Sequence, residues 1–349
     1  MTKTLLAPWA CRISVFIASL FAWAPVNATP VLVVDTATRQ VLYQEEAGVP
    51  WYPASTTKLM TALVVFEALR SGEVALNTPV MMTRNATKQA FLESGLTFGR
   101  TMTLEDALFA TITASANDVA VALAETVAPD EAAFVQRMNA AAARLGLTGT
   151  HFSSPNGLFD RSNVTTARDL AILGMEVDRF FADYGRFFQA SAVTIDGKEI
   201  ESNNALLTRF SGTLGMKTGF LCASGRNYVG LATRQGKRVM VVVMGATTDR
   251  ERNERSAQYL TQAFEGRLSA AGLVDDVQNR PDIAPQDMRV RLCTDKSAAY
   301  EASREALYPM GLPGRESYLR DQIPGQVHAI RTWPSENAID VPIPTPRPS

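Results

Sequence analysis

The sequence predicts an α+β fold in which one antiparallel sheet is covered by helices, with a helical subdomain and a small C-terminal region. Two observations predict it. Apolar residues run in short strand-like blocks near residues 30–43 and again from 215 to 245, whereas between and after these blocks they recur at helical spacing. Strands at both ends of a helical middle are most simply reconciled by placing the N-terminal hairpin beside the later strands in one sheet. The composition agrees: 349 residues, 46% apolar and 20% charged, describe a globular chain with a sizeable core.

Taken in order, residues 1–28 carry Lys3 and Arg12, the apolar run Ile13 to Ala24 and then Pro25-Val26-Asn27-Ala28, the layout of a secretory signal peptide. The run is too short for the roughly 20 residues of a membrane span. Pro30 to Val34 and Gln40 to Tyr43 flank the polar Asp35-Thr36-Ala37-Thr38-Arg39 and read as an antiparallel hairpin. Leu59, Met60, Leu63, Val64, Phe66 and Leu69 give a buried helix over 55–70 that stops at Ser71-Gly72. Residues 103–113, 116–127 and 130–145 read as helices, broken at Pro129 and Gly146. Residues 215–221, 227–233 and 238–245 then read as three strands joined at Ser224-Gly225 and Gln235-Gly236, followed by a helix over 250–267. These elements place a main domain at 29–268 and a small region at 269–337 that includes an alternating run from Met288 to Cys293. A proline-rich disordered tail occupies 338–349.

Charge and rare residues narrow the function classes. Thirty-four basic and 35 acidic residues give a net charge of −1, too little positive field to hold nucleic acid. Only two histidines, His151 and His328, and three cysteines, Cys11, Cys222 and Cys293, are present, so multi-ligand metal, haem and iron–sulfur chemistry has no ligand set and no cofactor is expected. Cys11 leaves with the signal segment. Cys222 and Cys293 remain as the two thiols of an exported chain in an oxidising compartment, where a disulfide between them is expected to tie the C-terminal region to a sheet strand.

With so few histidines, a lysine becomes the natural base for an activated hydroxyl. Ser55-Thr56-Thr57-Lys58 opens the buried helix after Pro53, placing Ser55 in its first turn and Lys58 one turn on, on the same face. A Lys58 made neutral by burial and neighbouring cations can take the hydroxyl proton. Taken alone, the same residues are better read as a helix cap and a solvated lysine. Ser-x-Asn occurs several times, but only Ser115-Ala116-Asn117 sits at the junction of two buried helices, where Ser115 and Asp118 also suit a capping box. Lys217-Thr218-Gly219 occurs once, on a strand, where Gly219 would let a substrate backbone approach and Lys217 and Thr218 can meet a carboxylate.

The order Ser55-x-x-Lys58, Ser115-x-Asn117, Lys217-Thr218-Gly219 is the motif set of β-lactamases and penicillin-binding proteins. With Pro53-Ala54, Asn117-Asp118, Asn156-Gly157-Leu158, Thr166-Ala167-Arg168-Asp169 and Gly215-Met216, the chain over about residues 30–268 resembles the serine D-alanyl-D-alanine carboxypeptidases, the low-molecular-mass penicillin-binding proteins. The resemblance implies a β-lactamase/transpeptidase-like fold, with Ser55 as acylated nucleophile, Lys58 as its base, and Ser115 and Asn117 as proton relay and substrate-amide clamp. It also places Lys217, Thr218 and Gly219 on the opposite wall, and the backbone amides of Ser55 and Phe220 in an oxyanion hole. Many relatives carry His after the glycine. Phe220 is therefore a departure that keeps the backbone donor and loses any imidazole role. An ungapped count from Lys217 puts the arginine that meets the substrate's terminal carboxylate at Arg252, with Arg250 as its rival.

The reaction implied is removal of the terminal D-Ala from peptidoglycan stem peptides in the periplasmic or extracytoplasmic envelope, with β-lactams as covalent inhibitors. A DD-endopeptidase of the same family is the alternative within enzymes. A β-lactamase would need a Glu-x-x-Leu-Asn loop, and Glu199-Ile200-Glu201-Ser202-Asn203 matches only its ends and lies too late in the chain. A non-catalytic wall-binding protein would have no reason to keep Ser55 and Lys58 together. The alternating prolines of the C-terminal tail cannot form the amphipathic anchor helix of well-known relatives, so membrane association after signal cleavage is not indicated.

Overall fold

A computed structural model describes residues 29–90 and 94–335. The expected signal segment and the proline-rich tail lie outside the described residues. Two strands, β1 (Val31–Asp35) and β2 (Val41–Glu45), form the expected hairpin, and a 3₁₀ turn, Ala54–Thr57, leads into helix α1 (Lys58–Ser71). The short strands β3 (Pro79–Met81) and β4 (Arg100–Thr103) precede α2 (Leu104–Ile112), α3 (Asn117–Val127), α4 (Glu131–Arg144) and α5 (Ala167–Asp178). A turn of helix, α6 (Phe181–Tyr184), the strands β5 (Ala192–Ile195) and β6 (Lys198–Glu201), and α7 (Leu206–Arg209) follow. Then come β7 (Thr213–Leu221), β8 (Gly225–Arg234), β9 (Lys237–Ala246) and α8 (Asp249–Phe264). The described residues end with α9 (Arg289–Leu292), α10 (Ser297–Leu307), β10 (Val327–Ile330) and β11 (Trp333–Pro334).

The main sheet has five antiparallel strands in the order β2-β1-β9-β8-β7, so the N-terminal hairpin does pair with the later strands. Burial on both faces explains why β1 and β9 read as continuous apolar runs. Leu32, Val34, Met240, Val242 and Met244 join the large cluster under α1 and α5, whereas Val31, Val33, Val239, Val241 and Val243 join Ala257, Leu260 and Ala263 of α8. Strand alternation thus assigns each side chain to one of two cores. α1 is buried on nearly every side, and Gly72, left-handed at φ 76°, ends it. Side-chain caps start α2, α4, α5 and α8, with Thr103, Asp130, Thr166 and Thr248 each accepting an amide of the first turn.

Beyond α8 the described chain is laid across this body. β10 pairs in parallel with β5, and β11 pairs with β4. The run from Met288 to Cys293, whose apolar residues alternate like a strand's, forms the helical turn α9, because Cys293 and Leu292 bond back along their own segment. Cys222 and Cys293 are joined by a disulfide with Cα atoms 5.8 Å apart, and the Met288 amide donates to the Ala223 carbonyl at 3.0 Å. Arg304 of α10 reaches a buried ion cluster: Glu251 accepts from Arg304 Nη2 at 2.5 Å, Arg255 Nη1 at 3.1 Å and the Thr247 amide at 2.9 Å. Burial opposes ionisation of Glu251, but the hydrogen bond and charge of Arg304, with Arg255 and the Thr247 amide, hold its carboxyl below the usual carboxylate range. Among the described residues, no helix is long and apolar enough to cross a membrane.

Candidate active site

Ser55 sits in the 3₁₀ turn that becomes α1, so the one-turn offset expected between Ser55 and Lys58 is present. Ala54, before it, has a left-handed φ of 51°, a conformation that costs free energy for a residue with a side chain and that a surrounding structure must hold in place. Two glycines let the neighbours close on this turn. A Cβ at Gly157 would stand 2.1 Å from the Ala54 carbonyl oxygen, and one at Gly219 would stand 2.9 Å from the Ser55 amide nitrogen. Gly219 was expected to admit a substrate backbone. Its bare face also admits the backbone of Ser55 itself, because β7 runs directly against the turn.

Lys58 is completely buried. Its Nζ lies 2.9 Å from Ser55 Oγ, and donates to Asn117 Oδ1 at 2.7 Å and to the Asn156 carbonyl at 2.8 Å. Thr61 Oγ1, one turn further along α1, donates to the Pro155 carbonyl at 2.6 Å and so anchors the 155–157 loop that supplies one of those acceptors. Ser115 lies between α2 and α3 with φ 60° and faces the same cleft as Ser55 and Asn117. Its expected capping box with Asp118 does not form. α3 starts at Asn117, with Ala116 as a cap without a side-chain bond, and the Asp118 carboxylate accepts the Ser94 hydroxyl instead. Burial pushes the Asp118 carboxyl up, against the Ser94 hydrogen bond and the Lys58 charge.

The opposite wall is β7. Lys217 is buried and its Nζ donates to the Thr218 carbonyl at 3.1 Å, while Thr218, Gly219 and Phe220 line the cleft. Asn227 on β8, paired across from Gly219, clamps β8 to the Ser55 turn: its Nδ2 donates to the Tyr52 and Pro53 carbonyls at 2.9 and 3.0 Å, and its Oδ1 accepts the Gly245 amide. Phe220 is half-exposed, with the Arg226 guanidinium 4.6 Å from its ring centre. The cleft encloses about 410 Å³.

Arg252 is buried and lines this cleft, whereas Arg250 turns away to the Tyr308 and Met310 carbonyls. Arg252 Nη1 pairs with Asp249 Oδ1 at 2.7 Å, and Nη2 donates to the Asn203 carbonyl at 2.6 Å. Burial lowers the pKa of this guanidinium from its ordinary value, and Asp249 opposes that shift. Arg226, Asp249, Asn203 and Asn227 escaped sequence reading. For Arg226 a signal existed, since the hairpin at Ser224-Gly225 sets it opposite Phe220. Glu199, which opens the partial Glu-x-x-Leu-Asn match, lies exposed on β6.

Residues 19–248 match the family model described as D-alanyl-D-alanine carboxypeptidase, peptidase S11. The chain belongs to this family. The match takes in Ser55, Lys58, Ser115, Asn117 and Lys217 to Phe220 and stops just before Asp249. Similar curated proteins are the D-alanyl-D-alanine carboxypeptidases DacC of Escherichia coli, 34% identical over 248 residues, and DacF of Bacillus subtilis, 31% identical over 245 residues. In both cases 68% of this chain and 62% of the relative are covered, so the chain matches somewhat under two thirds of the relatives' length. Among solved structures, penicillin-binding protein D2 of Listeria monocytogenes in its cefotaxime-bound form aligns at TM-score 0.61 and 30% identity, over 67% of this chain and 96% of that one. The main sheet with its covering helices is thus the family's catalytic fold.

Proposed function

We propose that the protein is a serine D-Ala-D-Ala carboxypeptidase of the extracytoplasmic cell envelope, releasing the terminal D-Ala of peptidoglycan stem peptides through a Ser55 acyl-enzyme and binding penicillins at the same serine. The observation that carries this reading is the buried Lys58 Nζ lying 2.9 Å from Ser55 Oγ, in a cleft whose far wall is Thr218 to Phe220. With Lys58 neutral, the Ser55 hydroxyl donates to Nζ while the two remaining N–H groups stay on Asn117 and Asn156; with Lys58 charged, all three bonds are donated. The surroundings therefore suit both protonation states that a general base passes through.

In acylation, the Ser55 proton passes to Lys58 as Oγ attacks the carbonyl of the penultimate D-Ala, and the amides of Ser55 and Phe220 receive the developing oxyanion. Ser115 returns the proton to the departing D-Ala amine, and Asn117 holds the substrate amide. Water then attacks the ester. Lys217, Thr218 and Arg252 hold the terminal carboxylate.

Two results are expected. A peptide ending in D-Ala-D-Ala with a free carboxylate should release D-Ala, and Arg252→Ala should raise its KM by about ten- to a hundredfold, the worth of a charged hydrogen bond, while changing turnover of the C-terminal amide far less. Equal loss on both would remove Arg252 from carboxylate recognition. Gly219→Ala should force β7 off the Ser55 turn and slow penicillin acylation about 10²-fold, the cost of misplacing a reacting group by about an ångström, in a protein that still folds. An unchanged rate would mean that the approach of β7 to Ser55 does not set the site.

A further inference from the structure

Arg252, the cation assigned above to the substrate carboxylate, is already paired with a carboxylate. Asp249 Oδ1 lies 2.7 Å from Arg252 Nη1, and its other oxygen, Oδ2, lies 3.1 Å from Arg226 Nε. All three residues line the cleft that holds Ser55. The pair is unequal in freedom. Arg252 has 2% side-chain exposure and is pinned by the Asn203 carbonyl and Asn253 Oδ1, whereas the Asp249 side chain is 56% exposed, on the first turn of α8. Arg226 is held separately, through the Thr247 carbonyl and the Phe220 ring.

From this we infer that Asp249 is a built-in competitor for the carboxylate subsite: it holds Arg252 and cedes Nη1 to the terminal carboxylate of the substrate, while Arg226 keeps the displaced Asp249 by its second oxygen. The inference rests on the carboxypeptidase reading and adds to it a specificity-determining contact. A tethered carboxylate is present at high effective concentration, so a ligand must out-compete it with a charge of its own and with the added contacts of a seated peptide. Acetate-like anions fail that test, and a D-Ala-D-Ala terminus that also engages β7 passes it. The exposed Asp249 can move without breaking the core, and its place at the helix N-terminus keeps its charge favourable after it moves.

The test uses the full chain and the variants Asp249→Asn and Asp249→Ala. Either variant should lower KM for the free-carboxylate peptide by about three- to tenfold with kcat retained, and should shift KM of the amide much less. Arg226→Gln should raise KM of the free-carboxylate peptide in the wild-type background and lose that effect in Asp249→Asn, since the parking cation then has nothing to park. A higher KM in Asp249→Asn, or equal shifts on acid and amide, would make Asp249 a support for Arg252 and overturn the inference. So would an Arg226→Gln effect that persists in Asp249→Asn, which would make Arg226 a direct ligand. Calorimetric titration with N-acetyl-D-alanine is independent of turnover: tighter binding to Asp249→Asn supports the competitor, and equal or weaker binding contradicts it. A wild-type protein that neither cleaves the peptide nor reacts with penicillin would refute the carboxypeptidase reading, and the titration would still decide the role of Asp249.

Discussion

Lys58→Arg is expected to lower the rate of Ser55 acylation by about 10²- to 10⁴-fold, the range supplied by a positioned general base. The substitution keeps the positive charge. It removes the ability to give up a proton, because a guanidinium stays protonated in proteins. If Lys58 served only as a fixed cation for Asn117 and the Asn156 carbonyl, 2.7 and 2.8 Å away, arginine would preserve much of that service. Lys58 is fully buried, so the thermal melting of the variant must be compared with that of Lys58→Met, which removes the charge as well. Both variants should be equally slow with penicillin in stopped-flow measurements. An arginine variant that acylates normally would show that Lys58 is not the base.

The largest effect on stability is expected from Glu251→Ala. The Glu251 side chain is 1% exposed and is the carboxylate partner of two buried guanidiniums, Arg255 and Arg304, which also lie over the Tyr308 ring at 4.2 and 4.7 Å. Removing one member of a buried ion cluster leaves the others uncompensated, at a cost of about 3–5 kcal/mol. Urea unfolding of the variant should show this loss, with α10 released first because Arg304 is its buried contact with α8. The sign with pH follows from the depressed carboxyl of Glu251. A lowered folded pKa gives stability that is present above the unfolded carboxylate value and lost as pH falls through the folded one, so wild type and variant should converge in acid. A loss below about 1 kcal/mol at neutral pH would mean that the cluster is no better than its apolar replacement.

How much of this was legible in the sequence follows from how local each signal is. The β1–β2 hairpin, the β7–β8–β9 meander and helices α1 to α4 and α8 were readable because periodicity and turn residues are properties of consecutive residues. Helix α5 was missed although Thr166 and Asp169 carry its cap, and the strands β3 to β6, β10 and β11 are too short for a period to show. In the site, Ser55 and Lys58 were readable as one helical turn, and the pairing of Ser115 and Lys217 with them through motif order. The Asn156 carbonyl and the Asn227 clamp join segments far apart in the chain, and no local pattern encodes such meetings, whereas Asp249 and Arg252 are an i,i+3 pair on α8 whose link to Arg226 crosses from another element. The capping box expected for Ser115 failed for the same reason: Ser94, more than 20 residues upstream, claims the Asp118 carboxylate.

The most direct test of the account is intact-mass analysis of the full chain after brief incubation with benzylpenicillin, followed by peptide mapping. The account predicts one added penicilloyl group, located on the peptide that contains Ser55, absent from Ser55→Ala and formed far more slowly in Lys58→Arg. Labelling that persists in Ser55→Ala, or a label that maps to another residue, would contradict it.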